Sequence, residues 1–339
     1  MKVTGRYRGT VGVVGAGRFG LALAAVSARH GYQTCLYSSL AQRAARLESE
    51  RCLPEILPEL SRLPDEVSIT NDPQVLADSC TLVVVTVGSE YLGDILRRIG
   101  PHLDGAHVVV HAVHLLEGEG LRGVTHAIQQ GSGARQVGVI AGPMHVSEML
   151  LGLPNTAVVA SAYPAARDLV RSVFCSPAIQ IYPSKDADGV ERAASLAQVV
   201  AFAVGLCDGL DLGAASHASV LTLGLAEMAG IGTRVGANER SFMGLAGVGR
   251  VVDAIRRAEP NYQLGLSIAG AKTKAARQKL VKEAPPEALC VPVIDAVMKA
   301  APHHALDVPL VRALDAVLRG ALGPEDALRG ALQDIRMPV

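Results

Sequence analysis

The chain has 339 residues, 49% of them hydrophobic, and its 32 Lys and Arg balance 32 Asp and Glu. A pI near 7.1 gives no electrostatic footing for nucleic acid or an anionic membrane surface, and no uninterrupted apolar run reaches the ~18–20 residues that span a bilayer. Length and a mean hydropathy of +0.29 supply two cores, while Cys35, Cys52, Cys80, Cys175, Cys207 and Cys290 stand singly, so no metal is expected and a cytoplasmic location is.

In chain order, residues 11–15 read as a short apolar strand and Arg18 to His30 as a helix ending near Gly31. Gln33 to Tyr37 is a second strand, and Ala41 to Glu50 returns to helix formers. Thr81 to Val87 is nearly all β-branched, as a strand buried on both faces of a parallel sheet is. His107 to Ala112 and Val137 to Ile140 repeat that signal, with helical stretches between. The alternation predicts an α/β fold, with a doubly wound Rossmann-type domain over residues 1–188.

After Pro183 the texture changes. Val190 to Asp208 is alanine-rich and apolar, and His217 to Ala229, Ala271 to Lys282, Val293 to Ala301 and Val308 to Leu318 have helical spacing. Pro285-Pro286, Pro302 and Pro324 predict helix breaks. Residues 189–339 are therefore expected to form an all-α domain. The basic run Lys272, Lys274, Arg277, Lys279, Lys282 reads as a solvated helix face.

Gly15, Gly17 and Gly20 sit where the first strand turns into the first helix. That context makes a weak motif credible. Gly15 permits the tight turn, Gly17 lets backbone approach a pyrophosphate, and Gly20 lets helix pack on sheet. The helix N-terminus then offers N–H groups to the phosphates. An acid at the end of the second strand would bind the ribose 2′-hydroxyl and a base would favour a 2′-phosphate. Tyr37-Ser38-Ser39 supplies neither, so NAD or NADP is expected, with NAD favoured because no cation is evident there.

Later segments extend the pattern: Gly142 to Glu148 (GPMHVSE), Asp208 to Gly213 (DGLDLG), Gly224 to Met228 (GLAEM) and Ser241 to Arg250 (SFMGLAGVGR). With the glycine turn, these make the chain resemble the NAD(P)-dependent glycerol-3-phosphate dehydrogenase family over nearly its whole length. The resemblance implies a Rossmann domain joined to a helical domain, a small anionic substrate in the cleft between them, and a homodimer. Cofactor contacts are expected at Gly15, Gly17, Arg18, Phe19, Gly20, Ser38, Gly142, Val146 and Glu287. Asp208 and Glu227, inside retained segments, are expected to satisfy backbone or orient helices.

The departures fall on the family's charged residues. One family lysine falls on His114; the catalytic lysine falls on Ala197, with Gln198 in the adjoining asparagine position. An aspartate becomes Arg250, a threonine Ala254, and the phosphate-holding arginine Pro260, leaving Asn261 of that pair. Reducing a ketone needs a proton donor and positive charge at the developing alkoxide, and alanine offers neither. His114 and His145 are the candidate proton-handling residues, and Arg250, Asn261 and Gln198 the candidate substrate contacts. Three readings stand: an oxidoreductase on another small anionic substrate, a silent dinucleotide-binding homologue, and residual glycerol-3-phosphate chemistry.

Overall fold

The β-branched runs and the helix-forming stretches between them build one large sheet. In a computed structural model, described over residues 9–334, the strands are β1 (Thr10–Val14), β2 (Thr34–Tyr37), β3 (Val67–Thr70), β4 (Cys80–Val85), β5 (Val108–His111), β6 (Leu116–Glu117), β7 (Arg122–Gly123), β8 (Gln136–Ala141), β9 (Asn155–Ala160) and β10 (Ile179–Ser184). Eight of them form a sheet in the order β10-β9-β8-β5-β4-β1-β2-β3, parallel except where β8 meets β9. Chain direction across the sheet reverses at β1, so the crevice for a ligand in such folds lies beyond Val14 and Val85, at the carboxyl ends of β1 and β4. Val83, Val84 and Val85 are fully buried, as expected for a central parallel strand.

The chain divides into two units. Among the described residues, one holds residues 9–113 together with Val124–Ala187; the other holds His114–Gly123 together with residues 188–334. The unexpected member of the helical unit is the small β6–β7 hairpin. Its Leu116 and Leu121 are buried, and the Leu121 carbonyl accepts from Arg192 Nε at 3.1 Å. Fixed contacts to the following helix, rather than the composition change after Pro183, assign this segment.

The helix Ala187–Gly209 is the spine of the second unit. By length and composition it could cross a membrane, with a mean hydropathy of 1.4, yet that window is wholly buried within the protein. It is therefore a buried core helix of this unit, with Glu191, Arg192, Ser195 and Gln198 as buried polar members. Where it meets the helix Pro260–Gly270, side chains are absent: a Cβ on Gly205 would lie 2.1 Å from the Tyr262 carbonyl oxygen, and one on Gly265 2.3 Å from that of Phe202. Asp208 ties the same region, accepting from Tyr262 Oη at 2.8 Å and lying 2.7 Å from His217 Nδ1 on the helix Ala214–Arg234. Burial, with Asp208 adding to it, pushes the Tyr262 phenol up to about 12.

Three expectations for this half need correction. Pro302 does not break its helix, which runs from Cys290 to His304. The stop is Ala305 in the left-handed region (φ 48°), with Leu306 N–H closing back on the Ala301 carbonyl at 3.0 Å. The helix predicted from Ala271 starts at Lys274, because the Thr273 side chain caps it through Ala276 N–H at 3.1 Å. Arg277 is not solvated but 7% exposed, its guanidinium donating to the Ala271 carbonyl at 3.3 Å.

Glu227 has the helix-orienting role its motif implies. Its two carboxylate oxygens accept from Leu310 and Val311 N–H at 2.8 and 2.9 Å, capping the helix Pro309–Leu318. Burial nevertheless pushes its carboxyl up to about 7, against those two bonds. A raised folded-state value means the group's stabilising contribution is full below the ordinary carboxylate range and is lost as pH rises through about 7. Glu227→Gln keeps an acceptor without the charge. Denaturant unfolding is expected to show wild type losing stability relative to this variant between pH 5 and 8, on the order of 2 kcal/mol.

Candidate functional site

The helix Arg18–Arg29 begins just beyond β1, and the turn between them is closed underneath and open above. Gly15 has φ +113°, a conformation side chains resist, and its N–H donates to the Tyr37 carbonyl at 2.9 Å. Thr86, just past β4, donates its hydroxyl to the Val14 and Gly15 carbonyls at 3.0 and 3.3 Å. A Cβ on Gly20 would lie 1.9 Å from the Gly15 oxygen, whereas one on Gly17 would meet nothing within 4 Å. Gly17 heads the helix without a side-chain cap, so its first-turn N–H groups face the open side as anion donors. Shape and donors together fit a dinucleotide pyrophosphate.

The remaining cofactor residues expected in the sheet unit separate into kinds. Arg18 pairs with Glu59 and donates to Ser147 Oγ at 3.0 Å, while that hydroxyl donates to Glu59 Oε1 at 2.6 Å. The Ser147 hydroxyl, then Glu59's own backbone N–H and Arg18, hold the Glu59 carboxyl below its usual range. Phe19 and Val146 pack against the sheet's hydrophobic core. Gly142 (φ +141°) allows close approach of β9, since a Cβ there would lie 2.9 Å from Ala157 Cα. Ser38 is 3% exposed and its hydroxyl donates to the Leu40 carbonyl at 3.2 Å, turning back onto its own chain. The strand end does have a cation beside it: Arg98 Nη1 lies 3.5 Å from the Ser39 carbonyl, from 59 residues further along the chain. The ground for favouring NAD is thereby removed.

His145 is the extended residue ahead of the helix Val146–Leu150, its N–H donating to Asn155 Oδ1 at 2.8 Å. β5 stops at His111, so strand alternation does not relate His111 to His114. His111 is fully buried between the Val113 carbonyl (3.0 Å) and Thr125 Oγ1 (2.9 Å), and burial drives its imidazole down to about 3. It stays neutral across the physiological range.

In the helical unit, four expected site residues meet. Gln198 Nε2 donates to the His114 carbonyl at 3.2 Å, and Gln198 Oε1 accepts from Asn261 Nδ2 at 3.2 Å. Asn261 Nδ2 also reaches the Glu287 carbonyl at 3.4 Å, and Asn261 Oδ1 accepts from Cys290 N–H at 2.8 Å. Gln198 and Asn261 are 6% and 3% exposed, and Ala197 2%. The two amides thus form a buried ladder that pins the main chain at His114, and the main chain of Glu287, not its carboxylate, takes part. Pro260 is the first residue of its helix, where a missing N–H costs nothing.

Arg250 is already engaged. Its fork donates to Glu259 at 2.9 and 2.7 Å and to Asp253 at 3.3 Å. Burial pulls its pKa down, and the carboxylates more than offset this. This geometry makes Arg250 the centre of an internal ion cluster. Thr86, Glu59, Ser147 and Arg98 were not foreseen. Only Thr86 had a signal, as the hydroxyl ending a β-branched run at the same sheet edge as the glycine turn.

Residues 10–167 match the family described as NAD-dependent glycerol-3-phosphate dehydrogenase N-terminus, and residues 186–329 match its C-terminus. A glycerol-3-phosphate dehydrogenase [NAD(P)+] of Deinococcus radiodurans is 36% identical over 335 residues, covering 94% of this chain and 93% of that one. The enzyme of the same description from Teredinibacter turnerae is 30% identical over 309 residues, 91% of this chain and 90% of its own. The crystal structure of glycerol-3-phosphate dehydrogenase from Coxiella burnetii has a TM-score of 0.83 at 25% identity, covering 96% of this chain and 99% of that one.

Asn261→Ala leaves Cys290 N–H and the Gln198 amide without their buried partner. Chemical unfolding is expected to show a loss of about 2–3 kcal/mol. A loss under about 0.5 kcal/mol would mean the ladder carries no weight.

Proposed function

The chain belongs to the NAD-dependent glycerol-3-phosphate dehydrogenase family, and on that premise we propose that it is an NAD(P)-dependent oxidoreductase interconverting a small anionic alcohol and its ketone, with His114 handling the proton. The observation that carries this reading is the glycine turn, closed under Gly15 by Gly20 and Thr86 and open above Gly17. Gly15, Gly17, Gly20 and the first-turn N–H groups would hold the dinucleotide, which supplies or accepts the hydride when bound. The anionic character of the substrate is taken from the compound named for its relatives.

The remaining chemistry is the proton. Hydride arriving at a carbonyl carbon leaves charge on oxygen; an imidazolium gives that oxygen its proton and becomes neutral imidazole, and in the oxidation direction the neutral imidazole takes the proton back from the hydroxyl. His114 suits that work because Gln198 fixes its carbonyl and Asn261 fixes Gln198. Ala197, where the family resemblance places a lysine, is apolar and buried and brings no charge. Arg250 is left out of the substrate contacts because Glu259 fills its fork.

The test is oxidation of NADH and NADPH by the purified chain at high concentration, with dihydroxyacetone phosphate and with small carboxylate-bearing ketones. Saturable turnover with one of them is expected, and His114→Ala should lower kcat by about 10²–10⁴-fold. Turnover unchanged in that variant would remove His114 from the mechanism; none with any ketone would remove the oxidoreductase reading.

A further inference from the structure

We propose that Arg192 is a positioning residue for the reaction: it holds the β6–β7 hairpin against the helix Ala187–Gly209 and so fixes His114 at the hairpin's base. The inference rests on the proton-handling reading of His114 and adds a residue that acts through it.

β6 and β7 pair only Leu116 with Gly123 and Glu117 with Arg122, and so short a ladder does not hold a hairpin by itself. Its place comes from what it docks on. A Cβ on Gly123 would lie 2.1 Å from Glu191 Cδ, so β7 seats directly on that side chain. The next residue of the same helix, Arg192, donates from Nε to the Leu121 carbonyl at 3.1 Å. About two helical turns after Glu191, on the same face, Gln198 donates to the His114 carbonyl at 3.2 Å. At the hairpin's tip, His304 Nε2 lies 2.9 Å from the Glu119 carbonyl and His303 Nε2 3.3 Å from Glu119 Oε1.

Arg192 differs from the other members of this set because stability alone does not call for it. It is 8% exposed within an alanine-rich helix, while its ion-pair partner Asp188 is 3.8 Å away and largely in solvent. A buried guanidinium with so distant a counter-charge gains little over an apolar side chain of the same volume. What it supplies is a charge-assisted hydrogen bond to one carbonyl, that of Leu121. Leu121 is fully buried and has φ +46°, a region that a leucine keeps only when its surroundings hold it there. Without the bond its carbonyl is buried and unpaired, and the easiest relief is for the hairpin to leave the helix. Gln198 is then left to hold the His114 carbonyl against a moving segment.

Two substitutions in the full chain separate the bond from the packing. Arg192→Gln puts an amide nitrogen where the arginine Nε stands, keeping the donor without the charge. Arg192→Met fills the same space and donates nothing. Hydrogen exchange read by mass spectrometry is expected to quicken about tenfold or more over residues 115–123 in the Met variant. The Gln variant should stay near wild type, with the helix Ala187–Gly209 protected in both. With a ketone that the wild type reduces, kcat should fall about ten- to hundredfold in the Met variant, with KM for the dinucleotide within about twofold, and recover in the Gln variant. A lowered melting temperature with kcat unchanged would make Arg192 merely structural and overturn the proposal. Equal hairpin exchange in the Met variant and wild type would overturn it too. So would wild-type exchange over residues 115–123 as fast as in an unstructured chain, a result that needs no variant to fold. Absence of wild-type turnover with every ketone, with the hairpin loosened only in the Met variant, would sink the oxidoreductase reading and with it any part for Arg192 in a reaction.

Discussion

The helical unit depends on two backbones meeting with no side chain between them. Gly205 lies under the Tyr262 carbonyl and Gly265 under that of Phe202, at distances where a single methyl would collide. Interaxial distance follows the side chains at the crossing, and glycine brings the two helices as close as main chain allows. This closeness sets Asn261 against Gln198, and Gln198 against the His114 carbonyl. A looser crossing would leave two buried amides partnerless, at a cost of a few kcal/mol. Helix packing, not a local loop preference, holds the His114 main chain.

The sheet unit uses the same device at its nucleotide turn. Gly20 admits the Gly15 carbonyl, and Thr86 ties that carbonyl and its neighbour to the end of β4. Charges in both units are mostly spent on one another: Arg18 on Glu59, Arg250 on Glu259 and Asp253, Arg46 on Glu50 and Glu55. An ion already paired is a poor anchor for an incoming substrate, because the old partner must be displaced.

Legibility followed the range of the interactions. The glycine turn, the β-branched strands and the apolar spine helix could be read because local sequence determines them. Asn261 and Gln198 were found as residues, but their joint role was not, since it depends on 63 residues of separation closing at a helix crossing. Pro302 misled because a proline in the last turn removes one bond, while Ala305 ends the helix. Ser38 was read as a cofactor contact from its place after β2, but its hydroxyl turns back onto its own chain. Arg98 was invisible at β2 because it arrives from another helix.

The central claim is the proposal that the dinucleotide held at the glycine turn delivers hydride to a small anionic ketone, with His114 handling the proton. The most direct measurement follows the atom itself. The full chain is incubated with NADPH or NADH carrying deuterium at C4 of the reduced ring and with small phosphate- and carboxylate-bearing ketones, and the alcohols are read by mass spectrometry. The account predicts one deuterium on the alcohol carbon of a product, delivered from one face of the ring. Absence of deuterium from every product, under conditions where the dinucleotide is bound, would contradict it.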